Sequence, residues 1–222
     1  VTTTDNDVAG FTIAQSNGST SVSESGSTDT FTVVLTAQPA SNVVLSISSS
    51  DSGEATTTSL LTFTSGNWNT PQTVTVTGVD DNIIDGAINS TLTLAIVDSI
   101  TDDNFDSVAN QTVSVATTDD DVAGFTIAQS SGSTSVSETG TTDTFTIVLN
   151  AQPASDVVLS ISSSDTGEAT VNSPLTFTPA NWDTPQTVTG TGEDESVVDG
   201  DQTSNITVAV FDTASADSFD VL

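Results

Sequence analysis

The sequence predicts an all-β protein built as two tandem seven-stranded antiparallel β-sandwiches. Three observations carry that prediction. Short runs in which Thr or Ser alternates with Val, Ile, Leu or Phe recur along the chain, the period-two pattern of strands with one buried and one wet face. Clusters of Gly, Pro, Asn, Asp and Ser separate these runs, and no stretch carries a helical period. Finally, the chain repeats itself. Sliding it by 114 residues, from Phe11 to Phe125, needs no gap, and about two-thirds of the 108 overlapping positions are identical. The repeat divides the chain into residues 1–7, the end of a last-strand-type segment with its acidic joint, then a first sandwich over 8–121. A second sandwich over 122–222 lacks its last strand.

In the first module Phe11-Thr12-Ile13-Ala14 opens the first strand, which resumes after the Asn17-Gly18 turn as Thr20-Ser21-Val22-Ser23. The second runs over 30–35 and puts Phe31, Val33 and Leu35 on the core face. The turn Gln38-Pro39-Ala40-Ser41 leads to the third, 43–47, which ends in a polar run through Asp51 and Glu54. Leu61-Thr62-Phe63-Thr64 is a short fourth strand. Asn67-Trp68-Asn69-Thr70-Pro71 turns into the fifth, 72–77. The loop 80–86 precedes the sixth, 91–96, and a long loop with Asp102, Asp103 and Asp106 precedes the seventh, 112–115. Thr and Val dominate because β-branched side chains suit a pleated surface. Seven short strands with turns between them read as an Ig-like sandwich.

Composition narrows the function classes. Lys, Arg, His, Tyr, Cys and Met are absent, and 30 carboxylates give a net charge of −30. Nucleic acid is excluded as a partner on charge, and so is an anionic membrane surface. No apolar run is long enough to span a bilayer, and no signal-peptide pattern stands at Val1, so the chain reads as mature or excised sequence. Without Cys there are neither disulfides nor thiolate metal sites. Catalysis is not expected, because no His, Cys, Lys or Tyr is available as base or nucleophile. Asp80 and Asp81 as a glycosidase pair are better explained as neighbours on a ligand loop.

The acidic residues are not spread evenly. In an antiparallel sandwich, connections alternate between the two ends. The loops after the first, third and fifth strands and the exit of the seventh therefore share one pole. They carry Glu24; Asp51 and Glu54; Asp80, Asp81 and Asp85; and Asp119, Asp120 and Asp121. Two such charges 4 Å apart repel by roughly 4 kcal/mol at an effective dielectric of about 20. Gathering nine without an internal cation calls for hard external ones. Ca²⁺ takes 6–8 oxygens in flexible geometry, Mg²⁺ retains its water, and Zn²⁺ prefers His or Cys. The alternative reading is a set of solvated acidic loops.

These segments also carry a resemblance. Val22-Ser23-Glu24-Ser25-Gly26, Leu61-Thr62-Phe63-Thr64, Val79-Asp80-Asp81 with Asp85-Gly86, and Asp119-Asp120-Asp121-Val122-Ala123-Gly124 are similar to motifs of the Calx-β domain family, calcium-binding sandwiches of exchangers, an integrin and large repetitive bacterial surface proteins. The resemblance implies Glu24, Asp80, Asp81, Asp85 and Asp119 to Asp121 as calcium ligands, with Asp51 or Glu54 contributing from the loop between the third and fourth strands. The second module repeats the set as Glu138, Asp165, Glu168, Asp194, Glu195 and Asp199. Asp5 and Asp7 stand in the leading joint.

The implied function is a calcium-rigidified structural repeat of an extracellular or bacterial cell-surface filament, stalk or adhesin, assembled head to tail. A regulatory Ca²⁺-sensing tandem and a glycan-binding module are the alternatives. Val1 matches Val115 inside a seventh strand, and Leu222 matches Val108 before one. Head-to-tail contact then means a longer covalent array or strand addition between copies; an arbitrary cut is the third reading. Trp68 and Trp182 sit in matching turns and are expected to plug the sandwich end rather than stack on sugar. Asn17, Asn89, Asn110 and Asn205 begin Asn-X-Ser/Thr glycosylation acceptors.

Overall fold

A computed structural model describes residues 1–211, 213, 215, 217–220 and 222. The chain divides into two units, Val1–Asp81 with Asp85–Asp120, and Asn82–Ile84 with Asp121–Leu222. Both are all-β, as the alternation predicts. No helix among the described residues is long and apolar enough to cross a membrane.

Unit 1 is a sandwich of two sheets. One has the order β1-β3-β7-β5, from Phe11–Gln15, Thr28–Leu35, Gln72–Gly78 and Ala55–Thr57. The other has the order β2-β9-β8-β4-β6, from Thr20–Ser23, Gln111–Thr118, Ile88–Ile96, Val43–Ser49 and Leu60–Phe63. Alternate residues of both sheets meet in one core: Phe31, Val33 and Leu35 of β3 and Val74 and Val76 of β7 face Leu45 of β4, Leu92 and Leu94 of β8 and Val115 of β9.

Three features differ from the seven-strand expectation. The first strand divides between the sheets: after β1 a 3-10 turn at Ser16–Gly18, with Asn17 at φ 53° and Gly18 at φ 80°, sends β2 across to the opposite sheet. Asp29 holds that crossing, its carboxylate accepting from Ser16 Oγ (2.5 Å), Ser21 N (3.0 Å) and Thr30 N (2.7 Å). Next, β2 pairs parallel with β9, from Thr20↔Val115 to Ser23↔Thr118. Last, the polar stretch after β4 contributes an added strand, β5, paired with β7 from Ala55↔Gly78 to Thr57↔Val76.

Unit 2 repeats the first sheet as β10-β11-β15-β13, from Phe125–Gln129, Thr142–Leu149, Gln186–Gly192 and Ala169–Val171. Its second sheet has the order β14-β12-β16, from Leu175–Phe177, Val157–Ser163 and Ile206–Val210. Among the described residues no strand follows β16, and residues 134–137, which match β2, form none. In each unit the Trp packs half-buried against the core, and its carbonyl accepts from the end of the second predicted strand: Leu35 N to Trp68 O and Leu149 N to Trp182 O, both 3.1 Å.

Candidate metal centre

The acidic pole of unit 1 is assembled by strand ends. Glu24 follows β2 directly, and its N–H donates to Thr118 O of β9 at 3.1 Å. Glu54 precedes β5, its carbonyl accepting from Val79 N at 2.9 Å and from Thr117 Oγ1 at 3.4 Å. Asp85 comes from the loop after β7. One carboxylate oxygen from each of Glu24, Glu54 and Asp85 lies within 4.8 Å of the other two, and Asp81 stands within the same distance of Glu24. Asp119, just past β9, accepts from Gly86 N at 2.8 Å, a contact made where Gly86 adopts φ 73°.

Burial makes this cluster unusual. Glu24 is 1% and Glu54 6% exposed. The Oε2 atom of each is buried without a hydrogen-bond partner. Burial, then the charges of Asp119, Asp81, Glu54 and Asp85, push the Glu24 carboxyl up to about 7. Glu54 is raised by burial and then by Asp85, Asp51, Asp81 and Asp119. Asp85 is raised by burial, Asp81 and Asp119. A buried carboxylate oxygen ordinarily finds a donor or a cation. In a chain with no Lys, Arg or His, the donor set of carboxylate oxygens alone fits a hard divalent cation such as Ca²⁺.

Of the nine carboxylates assigned to this pole, Glu24, Asp51, Glu54, Asp81, Asp85 and Asp119 act on one another. Asp51 is exposed, and its Oδ1 accepts from Gly53 N at 3.0 Å, so Glu54 is the inward-facing acid of its loop. Asp80 and Asp120 are exposed, and Asp121 opens unit 2. In unit 2, Glu138, Glu195 and Asp199 each place a carboxylate oxygen within 4.8 Å of the others. Glu168 is raised by burial and then by Asp199, Glu195, Asp165 and Glu138, and Glu195 by burial, Asp199 and Glu138. Asp194 is exposed, as are Asp5 and Asp7, where Asp7 N donates to Asp5 Oδ1 at 3.0 Å. All four glycosylation acceptors, Asn17, Asn89, Asn110 and Asn205, are exposed.

Three acids, Asp29, Asp102 and Asp143, have structural roles that the sequence reading did not assign. Asp102, 4% exposed, accepts from Ala40 N (2.6 Å) and Ser41 N (2.8 Å) on Oδ2 and from Asn104 on Oδ1, which holds its carboxyl below the usual range. Asp143 repeats the role of Asp29, accepting from Ser130 Oγ, Ser135 N and Thr144 N. The only advance signal for the Asp29 pair was its recurrence at the same repeat position.

No protein-family profile and no characterised protein sequence matches the chain. Among solved structures it is similar to CBD12 from CALX1.2, at 15% identity over 90% of this chain and 79% of that one, with a TM-score of 0.36. The apo-form Calx CBD1 domain matches at 16% identity over 50% of this chain and 98% of that one, TM-score 0.36. The E. coli chaperone DraB matches at 8% identity over 85% and 89%, TM-score 0.36.

Proposed function

We propose that this chain is a calcium-stapled structural segment of an extracellular filament, stalk or adhesin, built from tandem Calx-β-like sandwiches and assembled head to tail. The observation that carries the reading is the buried pair Glu24 and Glu54, each with an unpartnered Oε2, in a protein that has no cationic side chain to neutralise them. Glu24, Glu54, Asp81, Asp85 and Asp119 would hold the ion in unit 1, and Glu138, Glu168, Glu195 and Asp199 in unit 2. The ion supplies positive charge where burial and mutual repulsion make the carboxylates costly. Asp119 follows β9 directly, so an ion that engages it also fixes the direction in which the chain leaves the sandwich.

Extracellular modules bind Ca²⁺ at about 10⁻⁴–10⁻³ M, the range expected of a permanent strut. The test is thermal unfolding with Ca²⁺, Mg²⁺ or chelator. Calcium at about 100 times the dissociation constant should stabilise the protein by about 2.7 kcal/mol per unit, and Mg²⁺ by much less. Melting that is indifferent to Ca²⁺, or calcium binding retained in the fourfold substitution Glu24→Gln, Glu54→Gln, Glu138→Gln and Glu195→Gln, overturns the reading.

A further inference from the structure

The sequence contains a single Asn-Gly pair, Asn17-Gly18. It forms the 3-10 turn between β1 and β2, where the first strand leaves one sheet of unit 1 for the other. Both residues are exposed, and nothing lies within 4 Å of where a Cβ on Gly18 would stand, so water reaches the pair. The matching turn of unit 2 has the same backbone but no side-chain amide: Ser131 lies at φ 55° and ψ 15°, against φ 53° and ψ 12° for Asn17.

An Asn followed by Gly is chemically labile in water, because a residue without a Cβ leaves its backbone nitrogen unhindered. The Gly18 nitrogen attacks Cγ of Asn17 and loses its proton as the new C–N bond forms. The Cγ–Nδ2 bond breaks, ammonia leaves, and a five-membered imide remains. Water then opens the imide at one of its two carbonyls. One opening leaves an aspartyl residue; the other routes the main chain through the side chain as isoaspartate, with one extra methylene in the backbone. Ring closure needs the Gly18 nitrogen to eclipse Cβ of Asn17 about the Cα–C bond. At ψ 12° it eclipses the Asn17 nitrogen instead and is turned away from Cγ. Rotating it into place breaks the bond from Ser19 N–H to Ser16 O (3.3 Å) that spans the pair. Asp29 holds both flanks of the same turn, through Ser16 Oγ and Ser21 N–H.

We propose that Asn17 is a latent deamidation site, kept silent by the Asp29-held turn while unit 1 is folded and reacting whenever that turn opens. Ammonia is lost in the first step, so each reaction is one-way and the modified fraction accumulates the openings of the turn. The lengthened backbone of isoaspartate does not refit the tight turn. β2 starts at Thr20, two residues beyond Gly18, and its parallel ladder with β9 has only four pairs, so the lesion reaches that pairing directly. The matching turn of unit 2 is spared, because Ser131 carries no amide. None of these steps involves a metal ion.

The test incubates the whole chain, folded and in urea, in mildly alkaline buffer. The chymotryptic peptide Thr12–Phe31 is then followed by mass spectrometry, with fragmentation that separates aspartate from isoaspartate. The unfolded chain should convert at least about tenfold faster than the folded one, because only the open fraction of the folded chain reacts. Asp29→Ala should raise the folded rate about tenfold by removing the bonds that flank the turn, and Ser16→Ala, which removes one of them, by less. In the Ser131→Asn chain the peptide Thr126–Phe145 should begin to convert, and faster still with Asp143→Ala, whose carboxylate holds the matching turn. Equal rates in the folded and unfolded chains, no conversion in urea, or folded Asp29→Ala and Ser16→Ala chains that convert no faster than the original overturn the proposal.

Discussion

Glu24 titrates near 7 against an ordinary value of 4.5, chiefly because folding buries its carboxyl and secondarily because Asp119, Asp81, Glu54 and Asp85 surround it. The folded state therefore binds the proton more tightly than the unfolded state. No cost arises below pH 4.5; it grows as pH rises from 4.5 to 7 and is complete above, on the order of 3 kcal/mol. Metal-free protein should accordingly melt at a higher temperature at pH 5 than at pH 8, and Ca²⁺ should remove the difference. Calorimetric scans at the two pH values in chelator check this; a melting temperature that is equal or higher at pH 8 contradicts it. Much of this pole was legible in the sequence, because loop alternation places acids at one end whatever their partners. The choice between Asp51 and Glu54 was not. It depends on β5, which buries Ala55 against β7 and draws the adjoining Glu54 inward, while Asp51 turns back onto Gly53 N–H.

At the scale of elements, alternation reveals which face of a strand is buried but not which neighbour it pairs with. That is why the two pieces of the first strand were visible and their separation into different sheets was not. The crossing needs a left-handed Asn17 and the Asp29 carboxylate, and the parallel β2–β9 pair joins residues nearly a whole unit apart in sequence. β5 escaped notice because Ala55-Thr56-Thr57 has no alternation. Of the glycines, the most closely packed lie here and at the matching position of unit 2: a Cβ on Gly78 would come within 2.0 Å of the Ser23 carbonyl oxygen, and one on Gly192 within 2.1 Å of Ser137 O. Backbone cannot yield as a flexible side chain does. Gly78→Ala should therefore cost about 3 kcal/mol or more by displacing β2 and the adjoining Glu24. Denaturant unfolding measures the loss, and a change under about 0.5 kcal/mol contradicts so close a packing.

For the molecule as a whole, the two units differ in how many apolar residues each buries despite their shared sequence. The core of unit 1 contains 18 buried apolar residues and that of unit 2 contains 10 among those described. Burial of apolar surface dominates stability, so heating should give two transitions, with unit 2 melting about 10 °C or more below unit 1. In the Trp68→Phe variant Trp182 fluorescence should follow the lower transition alone; a single coincident transition contradicts independent units. The parallel pairing of β2 with β9 bears on how such a molecule carries tension. A pull that enters through β1 and leaves beyond β9 slides those two strands along their common length. The ladder from Thr20↔Val115 to Ser23↔Thr118 is then loaded all at once instead of unzipping bond by bond. Unit 1 is clamped in this way by its own chain.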